Sequence, residues 1–261
     1  MTYGPDASLR LRVAVDVDAG AELCHSYTDL CTPTHMRRQG LAQRYGFECT
    51  CVRCCSGASY RGEDVDALME ALQRAGQGAG QGAGKAHAKG PRRGGSDDDD
   101  GDSGAVLLGE DGGDGIDRLI GQSESALIRA EQCGSAEEAC HLTKQALMLR
   151  RRLCHPLSLL RYHAESAMCA LALQFGDAAK ARECGRHAIA FLEMALAHVP
   201  WHPSLSIDRM HLACSEAAAG DKREAARQMD LCVPALKLTH GEGHALTQRA
   251  EAVRRALRRH A

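Results

Sequence analysis

The sequence predicts a mainly α protein: a short β-containing, cysteine-rich N-terminal part followed by a helical-repeat domain. Three observations predict it. Residues 116–261 carry apolar side chains at spacings of three and four, the helical period. Two stretches of that region share the same punctuation, His-Pro at 155–156 and 202–203 and Gly-Asp at 176–177 and 220–221. Hydrophobic residues make up 44% of the chain but aromatic ones only 3%, so the core is built from Ala, Leu, Val and Cys, which suit close helix packing.

Residues 1–60 read as β-like at first. In SLRLRVAVDV, Leu9, Leu11, Val13 and Ala14–Val15 alternate with polar neighbours, which predicts a short strand. Ala19–Gly20 supplies a turn, and ELCHSY is expected to return as a second strand. TPTHMRRQGLAQRY reads as a short helix, with Thr32 or Thr34 as its cap and Pro33 in its first turn. A cysteine-rich knot, YGFECTCVRCC, follows. Residues 61–75 hold an amphipathic helix, DVDALMEALQRA, with Val65, Leu68 and Leu72 on the face expected to pack on the helical part.

Residues 76–115 are a glycine- and aspartate-rich insert with almost no apolar content. Such a stretch buries too little surface to offset its ordering entropy, so it is expected to be disordered. Its Asp97–Asp100 run lacks the Gly and Glu spacing of a calcium loop and reads as a solvated spacer. In residues 116–261, Ser135 and Glu138 form a capping-box pattern, and Ala139, Leu142, Ala146, Leu149 and Leu153 follow on one face. Pro near a helix start, and a Gly stop followed by a capping Asp, describe a repeated helix–turn–helix unit. It resembles tetratricopeptide-like repeats with lengthened helices. His155, His202 and His244, at the unit starts, are expected to cap or pack there, since residues so far apart in a solenoid rarely converge on a metal.

Net charge is −2, and no run of apolar residues reaches membrane-spanning length. Neither a nucleic-acid surface nor a membrane is indicated. The arginines of the last helix read as a solvated face that complements its dipole. Thirteen cysteines without a secretory leader read as thiols or metal ligands, which points to the cytosol, the nucleus or both. Cys140, Cys169, Cys184, Cys214 and Cys232 sit singly in helical stretches and read as small hydrophobes. Cys49-x-Cys51-x-x-Cys54 is different: three thiolates on one short turn can wrap one metal, and zinc wants four ligands. Cys55, Cys24 and Cys31 are the nearby cysteines, and the sequence makes none of them a compelling fourth.

The run DVDAGAELCHSYTDLCTPTHMRRQGLAQRYGFECTCVRC resembles the end of the SET domain and the post-SET zinc motif of SET-and-MYND-type protein lysine methyltransferases. The matching frame is Gly20, Glu22-Leu23, Ser26-Tyr27, Asp29-Leu30, Pro33-Thr34, Arg37, Leu41, Tyr45, Phe47, Cys49, Cys51 and Cys54. That family also carries a C-terminal tetratricopeptide-like domain. The resemblance implies S-adenosylmethionine-dependent methyl transfer to a protein lysine. It puts Tyr27 where the lysine amine meets the methyl donor, Tyr45 and Phe47 along the channel admitting that lysine, and Zn on Cys49, Cys51 and Cys54. The family's Gly-rich donor segment, its Asn-His-Ser-Cys-x-Pro-Asn loop (source of the fourth zinc ligand) and its MYND finger do not occur here. The expectation is therefore a chain that starts midway through a SET domain and is inactive unless complemented. The alternatives are a helical-repeat module that binds a peptide or protein partner, with Arg151, Arg152, Arg161, Lys180 and Arg186 as its basic residues, and a chain without independent function.

Overall fold

A computed structural model describes residues 2–3, 9–10, 12–69 and 112–259. The fold is mainly α. Two two-residue pairings are its only described strands: β1 (Thr2–Tyr3) with β2 (Leu9–Arg10), and β3 (Ser59–Tyr60) with β4 (Glu63–Asp64), both antiparallel. The expected strand over 9–15 is thus cut to two residues, and ELCHSY forms no strand. Val13 and Val15 stay exposed because no described strand lies beside them to pair with. The turn at Ala19–Gly20 is present, closed by the Ala21 N–H donating to the Asp18 carbonyl at 3.1 Å, with Gly20 at φ +88°.

Helix α1 (Thr34–Tyr45) follows, then the short α2 (Val52–Ser56). Pro33, not a threonine, holds the N-cap position of α1 and makes no side-chain cap. The cap is tertiary instead: Asp66 accepts from the Thr34 N–H at 3.0 Å. Helix α3 begins at Val65, later than the sequence pattern suggested, and is described over residues 65–69. Asp64 caps it by accepting from the Ala67 N–H at 2.8 Å. Residues 70–75 and most of the glycine-rich insert lie outside the described residues. The last part of that insert, 112–115, is already helical, since α4 spans Gly112–Gln132.

The remaining helices are α5 (Ala136–Leu153), α6 (Leu159–Gln174), α7 (Ala178–Ala195), α8 (Pro203–Ala218), α9 (Lys222–His240) and α10 (Ala245–Arg259). Each packs on the next along the chain, and α6 also touches α8, the staggered contact of a helical solenoid. The cap chemistry repeats. Ser135, Ser158, Asp177 and Asp221 each accept a backbone N–H three residues on, the first half of a capping box at Ser135–Glu138. Gly176 and Gly220 turn the chain in the left-handed region, at φ +74° and +91°. The three unit-start histidines perform one job: Nδ1 of His155, His202 and His244 accepts the N–H two residues on, at 3.1, 3.3 and 3.2 Å. An accepting Nδ1 carries no proton, so this cap is one that a neutral imidazole makes.

Apolar burial divides into three clusters along the array. The middle one joins the two halves of the protein: Cys31, Val65 and Met69 pack with Phe191 and Leu192 of α7, Leu196 at its C-cap, and Leu205 and Leu212 of α8. Each such side chain contributes roughly 1.5–3 kcal/mol. Cys169, Cys184 and Cys232 are buried as the small hydrophobes expected, whereas Cys140 and Cys214 are only part-buried. Where α6, α7 and α8 meet there is room for no side chain: a Cβ on Gly185 would stand 3.2 Å from Cys169 Sγ and 3.3 Å from Leu212 Cδ1. Gly185→Val is therefore expected to cost about 1–3 kcal/mol by overpacking, read as a lower urea midpoint with an unchanged m-value.

Burial, together with the nearby Arg161, pulls the His155 pKa down, and burial does the same at His202. His198 has both ring nitrogens buried and unbonded, and burial plus the charges of Arg53 and Arg37 takes it to about 4. A depressed folded-state value contributes stability that is whole above the unfolded histidine value, about 6.5, and lost as pH falls through the folded values. Melting temperature is expected to drop between about pH 6.5 and 4. His202→Asn, which keeps a cap acceptor without titrating, should flatten part of that drop.

Candidate metal and aromatic site

The thiol cluster is built by one turn. After Cys51, whose carbonyl accepts from the N–H groups of Cys54 and Cys55 at 2.9 and 3.0 Å, the chain enters α2. That turn swings Cys54 back over Cys49 and Cys51, so their three sulfurs lie within 4.8 Å of one another. Zinc at about 2.3 Å from each sulfur would place them roughly 3.8 Å apart in a tetrahedron, a small contraction. These three residues could therefore hold a metal ion.

The thiols are already unequal. Burial pushes the Cys51 thiol up, but the Cys54 backbone N–H and the neighbouring thiols outweigh it and leave Cys51 below its ordinary value. Cys54 moves the other way: burial raises it, Arg37 opposes, and the neighbouring sulfurs raise it further. A lowered Cys51 thiol favours the deprotonated sulfur that metal capture needs.

None of the three nearby cysteines completes the set. Cys55 turns outward and donates to the Thr50 carbonyl at 3.4 Å. Cys31 is buried in the middle apolar cluster, and Cys24 is exposed and outside the sulfur group. Among the described residues no fourth His, Cys, Asp or Glu joins.

The fold brings Tyr27, which precedes α1, together with Tyr45 and Phe47 at its far end, Phe47 standing two residues before Cys49 in the chain. Ring centroids lie 5.3 Å apart for Tyr27–Tyr45, 6.2 Å for Tyr27–Phe47 and 6.5 Å for Tyr45–Phe47, with the His25 ring tilted against Tyr27 at 4.4 Å. All three remain well exposed, at 54%, 53% and 40%, so they form an open aromatic face, not a closed channel. Local polar turns set Tyr27 in place: Ser26 Oγ donates to the Thr28 carbonyl at 2.6 Å, and Asp29 accepts from the Cys31 N–H at 2.8 Å.

What fixes this assembly is a carboxylate that the sequence reading did not single out. Asp66 receives Arg53 through two hydrogen bonds, at 2.6 and 2.9 Å, and the Thr34 hydroxyl at 2.6 Å. Arg37, nearly fully buried, donates to Thr34 Oγ1 at 2.6 Å and also to the Thr32 carbonyl. Burial pushes the Asp66 carboxyl up, but the bonds from Arg53 and Thr34 prevail and hold it at about 2. A hint was available in sequence, since Arg53 falls inside the cysteine motif and Asp66 opens α3; their pairing was not.

The five basic residues named in sequence are not gathered into a binding surface. Arg151 bridges Glu165 and Glu183, Arg161 also meets Glu165, Lys180 meets Glu183, and Arg186 meets Glu216 at 2.7 Å. Glu165 and Glu216 are fully buried; the Arg151 and Arg186 pairs staple neighbouring helices together, while Arg161–Glu165 and Lys180–Glu183 lie within one helix. Arg152 lines a recess of about 360 Å³ between α4 and α5.

No described helix is long and apolar enough to cross a membrane. No protein-family model matches the chain, and a search of curated proteins found no match.

Removing Asp66 leaves two buried guanidiniums without their carboxylate, a loss of about 3–5 kcal/mol. Asp66→Ala is expected to raise amide hydrogen exchange across residues 34–56 while α9 and α10 keep their protection. Cys51→Ser is expected to abolish the thiolate–cobalt charge-transfer band seen when Co²⁺ is titrated as a zinc surrogate.

Proposed function

We propose that residues 12–60 form the lysine-receiving, metal-holding end of a SET-type protein lysine methyltransferase, with zinc on Cys49, Cys51 and Cys54. The observation that carries the reading is the convergence of Tyr27 with Tyr45 and Phe47 on the segment that leads directly into the three-thiol turn. Three π-faces within 6.5 Å of one another suit an ammonium or methylammonium head. The Tyr27 hydroxyl at their edge would orient the amine, an effect of position more than of proton transfer. Zinc would stiffen the wall that carries Tyr45 and Phe47, its fourth ligand coming from beyond the described residues or from water.

S-adenosylmethionine supplies the methyl group in this chemistry. The open setting of Tyr27 gives it no enclosed seat among the described residues, so the geometry favours lysine binding, and methyl transfer needs a donor seat from elsewhere. A thiol-rich chain of this kind belongs in a reducing compartment, the cytosol or nucleus. A second reading, partner binding by the helical domain, is favoured by a separate cleft between α4 and α6.

A dimethyl-lysine peptide is expected to shift the ring resonances of Tyr27, Tyr45 and Phe47, and Tyr27→Ala should remove the shifts with helical content unchanged. Calorimetry with S-adenosylhomocysteine should show no heat, and metal analysis about one zinc per chain. Unmoved ring resonances with every lysine peptide tried would sink the reading.

A further inference from the structure

The alternate helices α4, α6 and α8 stand on the same side of the array. Helices α6 and α8 are joined there: the Tyr162 hydroxyl and Ser166 Oγ both donate to the Asp208 carboxylate, at 3.0 and 2.9 Å. Helices α4 and α6 leave a cleft of about 470 Å³ between them, with Ala139 and Thr143 of α5 at its base. Leu127, Ile128, Ala167 and Leu171 give it apolar walls, and Ile128 is nearly half exposed.

The carboxylates that line it are not matched by any basic lining residue. Glu124 and Glu131 lie two turns apart on the same face of α4 and both line the cleft, while no lysine or arginine does. The buried Asp208 carboxylate sits just behind Tyr162 and Ser166. The one nearby guanidinium, Arg150, is fully buried, and it is consumed by Glu124, Ser123 Oγ and the Leu160 carbonyl. His163, the remaining titratable residue of the lining, is held toward its neutral form by burial and by Arg150, against the opposing pull of Asp29, Glu124 and Glu131.

We infer that this cleft docks a basic segment of a partner protein, an apolar side chain entering between α4 and α6 and a lysine or arginine meeting Glu131 and Glu124 at the rim. The inference rests on the partner-binding reading of the helical domain and is independent of the lysine-methylation reading. Apolar walls supply contact area, and the carboxylates supply steering and choice of partner.

The test uses the full chain and a fluorescein-labelled peptide of about ten residues of Lys, Leu and Gly, compared by anisotropy with its Lys→Glu counterpart. The lysine peptide is expected to bind, with affinity falling steeply as salt rises. Glu131→Lys should weaken it about five- to tenfold, Ala167→Trp should block it, and Glu242→Lys, on the distant α9–α10 loop, should leave it unchanged. Thermal melts of each variant separate lost binding from lost folding. Lysine-peptide binding that ignores both cleft variants overturns the cleft assignment and leaves the partner-binding reading standing. Preference for the glutamate peptide overturns the basic partner, and binding of neither peptide overturns both.

Discussion

The junction between the cysteine-rich N-terminal part and the helical array depends on one carboxylate. Asp66 caps α1 from outside, accepts from two guanidinium nitrogens of Arg53 inside the three-thiol turn, and belongs to the first turn of α3. Its neighbours Val65 and Met69 are buried against α7 and α8. A single residue thus couples the position of Cys51 and Cys54 to the core of the helical domain. A planar carboxylate suits this role because it presents acceptors in two directions at once and matches the guanidinium fork.

The helical domain uses buried charge in a related way. Glu165 and Glu216 would each be costly to bury alone; Arg151 and Arg186 supply compensation from neighbouring helices, and Arg161 adds to it from one turn earlier on Glu165's own helix. Residues that look in sequence like a basic binding surface are thereby drawn into the structure. What remains open between α4 and α6 is carboxylate and apolar surface. Partner choice in such an array follows from which charges its own packing leaves over.

Legibility in the sequence tracked the range of the interactions. The helices of 116–261 were readable because period, caps and Gly-Asp stops are local: Asp177 and Asp221 cap as their position after glycine implies. The grouping of Cys49, Cys51 and Cys54 was readable for the same reason, a six-residue stretch leaving the chain little choice. The strands were misread. Alternation at Val13 and Val15 is a pattern that a paired strand exploits, but pairing is a tertiary event, and without a described neighbour those side chains stay exposed.

By itself, then, the sequence determined a helical-repeat protein with a three-thiol turn, because backbone hydrogen bonding, capping and short-loop closure act within a few residues. Tertiary structure alone decided that Tyr27 would meet Tyr45 and Phe47, that Asp66 would receive Arg53, and that Arg151 and Arg186 would be spent on buried glutamates. Those pairings join segments that become neighbours only when the helices stack and bury their apolar faces, and no local period records which polar groups will then be left facing one another.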